Sequence, residues 1–400
     1  MRLKKKDQKA IIFSFFSSIK LTLVLLSFSF LLVFFGTLDQ VEWGIHEVQK
    51  RYFQSFFAIW SYPETWPQGH ILKNYIYIPL LGGSFVGILL LINLALSSLR
   101  YITFQYKKIG IILIHAGLFL LIISGFCSSF LQKESQMILD INQAKSYAEN
   151  YLKNELVIID KSQPTLDLVW AIDQELLRQG QAFENEVFGL NIKVEKIYPN
   201  ALLTKNNTST THNLADKGAG LNISAIPQKP TYKPNTINAA TAYISVFTKQ
   251  EKIGTWLVSN IIDEKFPPQE FTYESKKYHI VLRFERTYFP FSLTLLEFTH
   301  EKHPGTNIPK NFSSLVRIQN KNTNEDRTYL ISMNKPLRYQ GYSFYQASFS
   351  QNEQTSILQV VKNPSWALSY IAIGIVTLGL LLQFGYHLWI FLHSKAYLRK

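Results

Sequence analysis

The chain has 400 residues, 47% of them hydrophobic, a net charge of +13 and one cysteine, Cys127. A single thiol excludes a disulfide framework, a CxxC redox pair, a cysteine-based zinc site and a CxxCH haem-attachment motif. The apolar residues pool into four runs of membrane-spanning length with cations gathered beside them, so the basic balance is a topology signal and gives no reason to invoke nucleic acid.

Residues 1–18 form a basic leader carrying Arg2, Lys4, Lys5, Lys6 and Lys9 against Asp7. The first apolar run, 19–38, is too long for a signal-peptide core. Its exit, FFGTLDQVEWG, lacks a small-residue cleavage site, so it is read as a retained helix. In the loop 39–74, Ile45, Val48, Phe53, Phe56 and Phe57 recur at roughly helical spacing, with Trp60, Tyr62 and Trp66 behind them. This predicts an amphipathic helix on the outer membrane surface; a loop touching a partner or ligand is the other reading. His46 and His70 read as solvated.

The second run is 75–98, the link 99–108 carries Arg100, Lys107 and Lys108, and the third run is 109–130. Residues 131–365 are polar, the fourth run is 366–392, and the tail 393–400 carries Lys395, Arg399 and Lys400. Leader, link and tail, with Lys20, sum to +11; the 39–74 loop sums to −1 and 131–365 to +3. The positive-inside rule therefore puts both termini and the link in the cytoplasm and the long segment outside. The expected fold is four transmembrane α-helices plus a large, mainly β extracytoplasmic domain inserted between helices 3 and 4.

The third run, GIILIHAGLFLLIISGF, holds one histidine. An ionisable side chain within a membrane helix is a functional candidate by default. Counted from residue 109, His115 lies about 9 Å into the bilayer. A neutral imidazole there is suited to be an axial ligand of haem iron, or to bond a neighbouring backbone carbonyl; the residues alone leave both open. Gly110, Gly117, Ser124 and Gly125 fall near one stripe, as small residues do where membrane helices pack closely. His115 stands about 200° behind Gly117, on nearly the opposite face. The stripe is expected to dock this helix onto its own bundle and leave His115 facing elsewhere. His387, in FGYHLWIF, is the second candidate ligand, with snorkelling beside Trp389 as the alternative.

Within 131–365, Leu190, Ile192 and Val194 alternate with Asn191, Lys193 and Glu195, the period of a half-buried strand. AYISVFTKQEKIGTWLVSN reads as two strands about a polar turn at 249–252, and YHIVLRFERTYF as another. QPTLDLVWAIDQELLRQG is turn-poor and reads as a helix. Residues 200–238, rich in Asn, Thr, Lys and Pro, read as a loop or poorly ordered insertion, and Asn207-Thr208-Ser209 is given no weight as a glycosylation site. His212, His279, His300 and His303 lack ligand spacing. Strands are expected at 315–318, 328–333 and 342–349, with a turn at 334–336. No nucleophile–base or carboxylate pair emerges.

GTLDQ at 36–40, HAG at 115–117, the NFSS run at 311–314, MNKPLRYQG at 333–341 and FYQASF at 344–349, in this order and topology, resemble the ResB/CcsB family of System II cytochrome c biogenesis. The resemblance spans nearly the whole chain, with 200–238 the least similar. It implies a bacterial inner-membrane subunit with its large domain in the periplasm. Such a subunit helps take haem b from the cytoplasmic side and deliver it for covalent attachment to apocytochrome c. The family partner is a CcsA/ResC-type membrane protein with a tryptophan-rich haem-handling segment. That segment is absent here, where seven tryptophans are scattered. The resemblance also implies that His115 ligates haem iron, sharing a transient haem with the partner. The chain is expected to be no enzyme on its own but a non-catalytic or haem-ligating subunit of a haem lyase complex. Thiol chemistry would belong to a thioredoxin-like reducing protein, and membrane lipid surrounds the helices. A membrane-anchored protein-binding scaffold without a haem site is the alternative; a transporter lacks the expected inverted repeats and Pro-broken spans.

Overall fold

The apolar runs fold as helices in the computed structural model, which describes residues 2–101, 105–163, 166–205, 213–233, 236–249, 251–262, 268–305, 309–350 and 354–397. The α-helices are α1 (Arg2–Phe16), α2 (Ile19–Trp43), α3 (Ile45–Val48), α4 (Gly69–Leu72), α5 (Gly83–Tyr101), α6 (Ile109–Leu131) and α7 (Trp366–Tyr397). Four of them, α2, α5, α6 and α7, are long and apolar enough to cross a membrane. With one hairpin, β1 (Phe57–Ser61) paired to β2 (Tyr77–Leu81), they form the first of two compact units.

Three boundaries differ from the sequence reading. Helix α2 continues past residue 38 to Trp43, because Asp39 is not left bare: the Tyr52 hydroxyl donates to its carboxylate at 2.6 Å, and both residues are buried. The amphipathic helix expected from residue 45 lasts only through α3. It then widens into a π turn, in which the Gln54 N–H reaches the Gln49 carbonyl (2.9 Å), and the aromatic stretch continues as β1. The run expected as helix from residue 75 begins as β2, since Pro79 has no N–H for a helix to use, and α5 starts only at Gly83. Glycine is required at this joint: a Cβ on Gly82 or Gly83 would strike the backbone of residues 53–56.

At the other end of α2 the chain breaks at Ser17–Ser18. Asn93 of α5, buried within an apolar helix, satisfies the loose groups there. Its Nδ2 donates to Phe16 O (2.7 Å) and Ser18 O (3.1 Å), and its Oδ1 accepts from Thr22 Oγ1 (2.6 Å). Hydrocarbon offers no water to replace these bonds, so Asn93 is a principal support of the break. Arg100 adds bonds to Ser14 O, Ser14 Oγ and Ser17 Oγ.

The second unit is mainly strand: β3 (Lys133–Asp140), β4 (Ala144–Asp160), β5 (Leu168–Asp173), β6 (Ala182–Asn185), β7 (Leu190–Tyr198), β8 (Ala201–Lys205), β9 (Ile223–Pro227), β10 (Thr241–Phe247), β11 (Lys252–Ser259), β12 (Glu270–Tyr273), β13 (Lys276–Lys302), β14 (Pro309–Asn320), β15 (Glu325–Ser332), β16 (Leu337–Tyr339), β17 (Tyr342–Phe349) and β18 (Thr355–Lys362). A four-stranded sheet runs β11-β10-β7-β6. The large sheet runs β15-β14-β13-β4-β3-β18-β17-β16, with β12 on β13 and β5 on β4. The alternation in β7 is borne out: Leu190, Ile192 and Val194 are buried and the residues between them are not.

The segment expected as a helix near residue 170 is β5, paired antiparallel to β4 from Leu168↔Asp160 to Asp173↔Glu155. Trp170 and Ile172 alternate onto the apolar core, and that packing overrides the helical composition. Within the expected loop at 200–238, the segments Ala201–Lys205 and Ile223–Pro227 pair as the hairpin β8–β9, with Ala201 and Ile223 buried. Its short arms were hidden among polar turn residues; Asn207-Thr208-Ser209 and His212 lie outside the described residues.

Two apolar cores share the long strands β4 and β13. The first joins Leu156 and Ile158 of β4 and Ile280 and Leu282 of β13 to Ile192, Ile244 and Trp256. The second joins Ala148 of β4 and Phe289, Phe291, Leu293 and Leu295 of β13 to Val316, Phe344 and Leu358. Between them the β13–β4 register slips after Phe284 and again after Tyr288, which bends both strands. The large sheet curls back on itself: Tyr339 of β16 donates to Glu325 of β15, although these strands end the strand order.

Candidate functional site

The packing of α6 on α7 is set by small residues. A Cβ on Gly110 would lie 2.8 Å from Gln383 Cβ and Gly379 O, and one on Gly117 would lie 2.6 Å from Val376 Cγ2 and 3.0 Å from Ala372 O. Further along, Ser124 Oγ meets Ser369 Oγ at 2.5 Å and Ser128 Oγ meets Ser365 Oγ at 3.1 Å. Asn363 Nδ2 donates to Ser128 Oγ (3.2 Å) and Gln132 Oε1 (3.0 Å). The expected stripe therefore docks α6 inside its own bundle, but Gly125 is not in it: a Cβ there would meet nothing within 4 Å. At 100° per residue Gly125 sits roughly 80° from Gly117, past the edge of the contact.

His115 is half-buried on the face of α6 turned away from α7. Its Nδ1 lies 2.9 Å from the Ile111 carbonyl oxygen, one turn back. A carbonyl can only accept, so Nδ1 carries the proton and Nε2 of the neutral ring keeps its lone pair. The two readings left open by the sequence are compatible: the carbonyl bond orients the ring and leaves the other nitrogen available to a metal. Phe126, eleven residues on and near the same face, packs on Gly87 of α5, where a Cβ would meet its ring at 3.2 Å.

The structure does not bring His387 to His115. Gly110 and Gly117 pack on Gly379 and Val376, so His115 lies level with about residue 378. His387 lies about nine residues, or ~13 Å, nearer the Tyr397 end. The Gln383 amide donates to His387 Nε2 at 2.7 Å, which occupies that lone pair. In the β-rich unit, His279 pairs with Glu270 (3.0 Å), and the His300 ring packs on Phe349 (4.5 Å between centroids). His303, like His46 and His70 in the helical unit, is exposed. Among the described residues, no group of three or more His, Cys, Asp or Glu side chains could hold a metal ion.

Sequence reasoning passed over two polar clusters. At the Trp43 end of α2, Asp39 of the GTLDQ run accepts from Tyr52 beside buried Trp60. Burial, and then the Asp39 carboxylate, hold the Tyr52 hydroxyl well above the ordinary tyrosine range, so it remains a donor at any physiological pH. In the second core, Ser314 of NFSS, Gln346 of FYQASF and Ser356 converge. Ser314 Oγ donates to Gln346 Oε1 (2.6 Å) and can accept from Ser356 Oγ (2.7 Å), and Gln346 Nε2 donates to Ser356 Oγ (3.0 Å). The signal was a polar letter at an inward position of each strand. These motifs form a buried structural network that clamps β14 to β17 and β18.

Residues 269–365, from just before β12 to the start of α7, match the family model described as ResB-like family. The chain is also 28% identical over 131 residues to Protein NrfI of Wolinella succinogenes, a stretch covering 33% of this chain and 13% of that protein. The chain thus matches only a small part of that relative's length.

Proposed function

We propose that this chain, in which residues 269–365 match the ResB-like family model, belongs to that family and is a non-catalytic membrane subunit of a System II cytochrome c synthase. In this reading it helps take haem b from the cytoplasmic side and deliver it across the inner membrane for attachment to apocytochrome c. It works beside a tryptophan-rich partner of the CcsA/ResC type. The basic leader, link and tail keep both termini in the cytoplasm, and the β-rich unit lies in the periplasm, where it holds the partner or the apocytochrome.

The observation that carries this reading is the imidazole of His115, its Nδ1 tied to Ile111 O, so that the neutral ring has its lone pair on Nε2, on the helix face that α7 does not cover. An axial ligand needs that tautomer and that exposure, so the residue fits haem. Haem, when bound, supplies the iron that imidazole recognises and the vinyl groups that become thioethers. The chain's own work would be to fix the imidazole through a backbone carbonyl that cannot swing away and to line the site with the apolar side chains of α6. His387 is left out of the ligand set, since its Nε2 is already bonded and its level on α7 is wrong.

The test is an optical spectrum of the protein purified with its partner from haem-replete membranes, as wild type and as His115→Ala. A Soret band and reduced α band that vanish in the variant, and return with added imidazole, are expected. Unchanged haem content in the folded variant would remove His115 from the ligand role.

A further inference from the structure

We propose that the hairpin β1–β2 is seated in the membrane interface, its outer face lying in the headgroup and upper acyl layer of the lipid around α5. The strands FAIWS and YIPLL hold no charged residue, and apart from Ser61 every side chain is apolar or aromatic. An antiparallel pair with one face in water alternates apolar with polar residues. Here the register puts Ala58 with Leu80 and Trp60 with Ile78 on one face, and Phe57 with Leu81, Ile59 with Pro79 and Ser61 with Tyr77 on the other. The first face is buried: Ala58, Trp60 and Leu80 pack with Leu25 and Leu32 of α2 and Val86 of α5. The second face is as apolar as the first yet bare, with Phe57 71%, Ile59 67% and Tyr77 54% exposed. An apolar face of this kind marks a surface that something other than water covers.

The occupant that fits is lipid. No linker separates the hairpin from α5: β2 ends at Leu81, α5 begins at Gly83, and the Gly82 N–H donates to Phe56 O (2.8 Å). The bare face continues onto the helix, since the Phe57 ring stacks on Phe85 in the first turn of α5 with 6.1 Å between centroids. Helix α5 is long and apolar enough to cross a membrane, so a face continuous with its first turn lies at the bilayer boundary. Ions appear only beyond the far end of the strands, where Lys73 pairs with Glu64 (2.9 Å), and exposed Tyr75 and Tyr77 come before them. Phenylalanine and aliphatic side chains beside the helix, then tyrosines, then charges, is the polarity profile of a membrane boundary. A protein docking on this face would find two hydroxyls, of Ser61 and Tyr77, and no ion to fix its register, whereas lipid needs neither.

The backbone sets the depth. Gly82 N–H bonds Phe56 O and Tyr62 N–H bonds Ile76 O, so by alternation the backbone groups of residues 57, 59, 61, 77 and 81 point away from the facing strand. Hydrocarbon cannot satisfy such edge groups, and the hydrated headgroup layer can. Pro79 shares their orientation and brings no N–H at all. The hairpin therefore stays out of the bilayer core, with Phe57 and Ile59 reaching about 5–10 Å into the headgroup and acyl boundary.

The experiment uses the full chain in a Cys127→Ser background, reconstituted in phosphatidylcholine vesicles. A bimane fluorophore is attached in turn to Phe57→Cys, Ile59→Cys and, as the control near the ion pair, Asn74→Cys. Its quenching is compared for phosphatidylcholine carrying a nitroxide high on the acyl chain, the same lipid with the nitroxide near the chain end, and iodide in the buffer. At 57 and 59 the high nitroxide is expected to quench at least about twofold more than iodide or the low nitroxide, as a shallow apolar seat requires, and at 74 iodide should dominate. Iodide quenching at 57 and 59 equal to that at 74 would show that water covers the face and overturn the proposal. Labels that none of the three quenchers reaches would show that protein covers it, a second copy of this chain, and would equally remove the lipid. Dominance of the low nitroxide would place the hairpin in the hydrocarbon core and refute the interfacial seat.

Discussion

Gly117→Ala and Gly125→Ala test the helix pairing with a built-in control. Both glycines lie on α6 and both gain the same methyl group, so the intrinsic helical gain of Ala over Gly, ~0.8–1 kcal/mol in water, is common to them. Only Gly117 has no room. Its Cβ would sit 2.6 Å from Val376 Cγ2, 2.9 Å from Val376 N and 3.0 Å from Ala372 O, where ordinary contact begins near 3.4 Å. A methyl can rotate away, but a backbone nitrogen and carbonyl cannot, so α7 must move out by about half an ångström. Overpacking of this kind costs about 1–3 kcal/mol. Gly117→Ala should therefore be less stable than Gly125→Ala by about 2 kcal/mol. Thermal unfolding of the purified proteins in detergent measures the difference. In a Cys127→Ser background, disulfide formation between Ser124→Cys and Ser369→Cys should also slow with Gly117→Ala and not with Gly125→Ala. Equal stability and equal crosslinking in the two would refute the close packing of α6 on α7.

Gln346→Leu should lower the unfolding free energy by about 1–3 kcal/mol, because buried Ser314 and Ser356 lose a shared partner. Adding Ser314→Ala should then cost less than it does alone; strict additivity in chemical denaturation would show that the three do not act as one network. Acid should weaken the β-rich unit in a defined window. Asp160 is held below the usual carboxylate range by the Ser162 hydroxyl and then Lys276, Glu270 by Lys277, Glu325 by Tyr339 and Arg327, and Asp326 by Arg317. The unfolded chain binds protons more readily than these sites, so their contribution is complete above the ordinary values near pH 4 and is lost as pH falls through the lowered ones. Unfolding midpoints should be flat from pH 7 to about 5 and drop below about 4; a drop centred near pH 6.5 would assign the effect to histidines instead.

Much of the fold was legible where one physical constraint dominates. Hydrocarbon thickness marked the four long helices, the period of two marked β7, and turn residues beside an aromatic run marked the strands around 315–349. The stripe on α6 was legible as small residues at helical spacing, although Gly125 shows that a stripe drawn from sequence is wider than the real contact. The sequence misled where long-range pairing decides. Nothing local in DLVWAID announces that β4 will take it as a strand, and nothing local in YIYIPLL reveals that Phe57–Ser61 is its partner. Within the candidate site, His115 stood out because an imidazole in hydrocarbon demands a reason. The carbonyl that sets its tautomer lies on its own helix, and a helical wheel does not display it. Asp39 and Asn93 were not singled out from the sequence, because their meaning depends on Tyr52, Phe16 and Ser18, which only the folded chain supplies.

Strand β13 is 27 residues long, and its two halves belong to different cores. A cut between the cores would pass through β13 and β4 rather than through a linker, so neither core can open while the other stays intact. The β-rich unit should behave as one cooperative block, without the independently opening sub-regions that hydrogen exchange finds in proteins whose cores are joined by loops. The segment that matches the family model, 269–365, includes β13 but stops short of β3 and β4, on which β13 and β18 depend for pairing. Family likeness therefore marks half of a woven unit, and excising it would leave two raw strand edges where its neighbours had been.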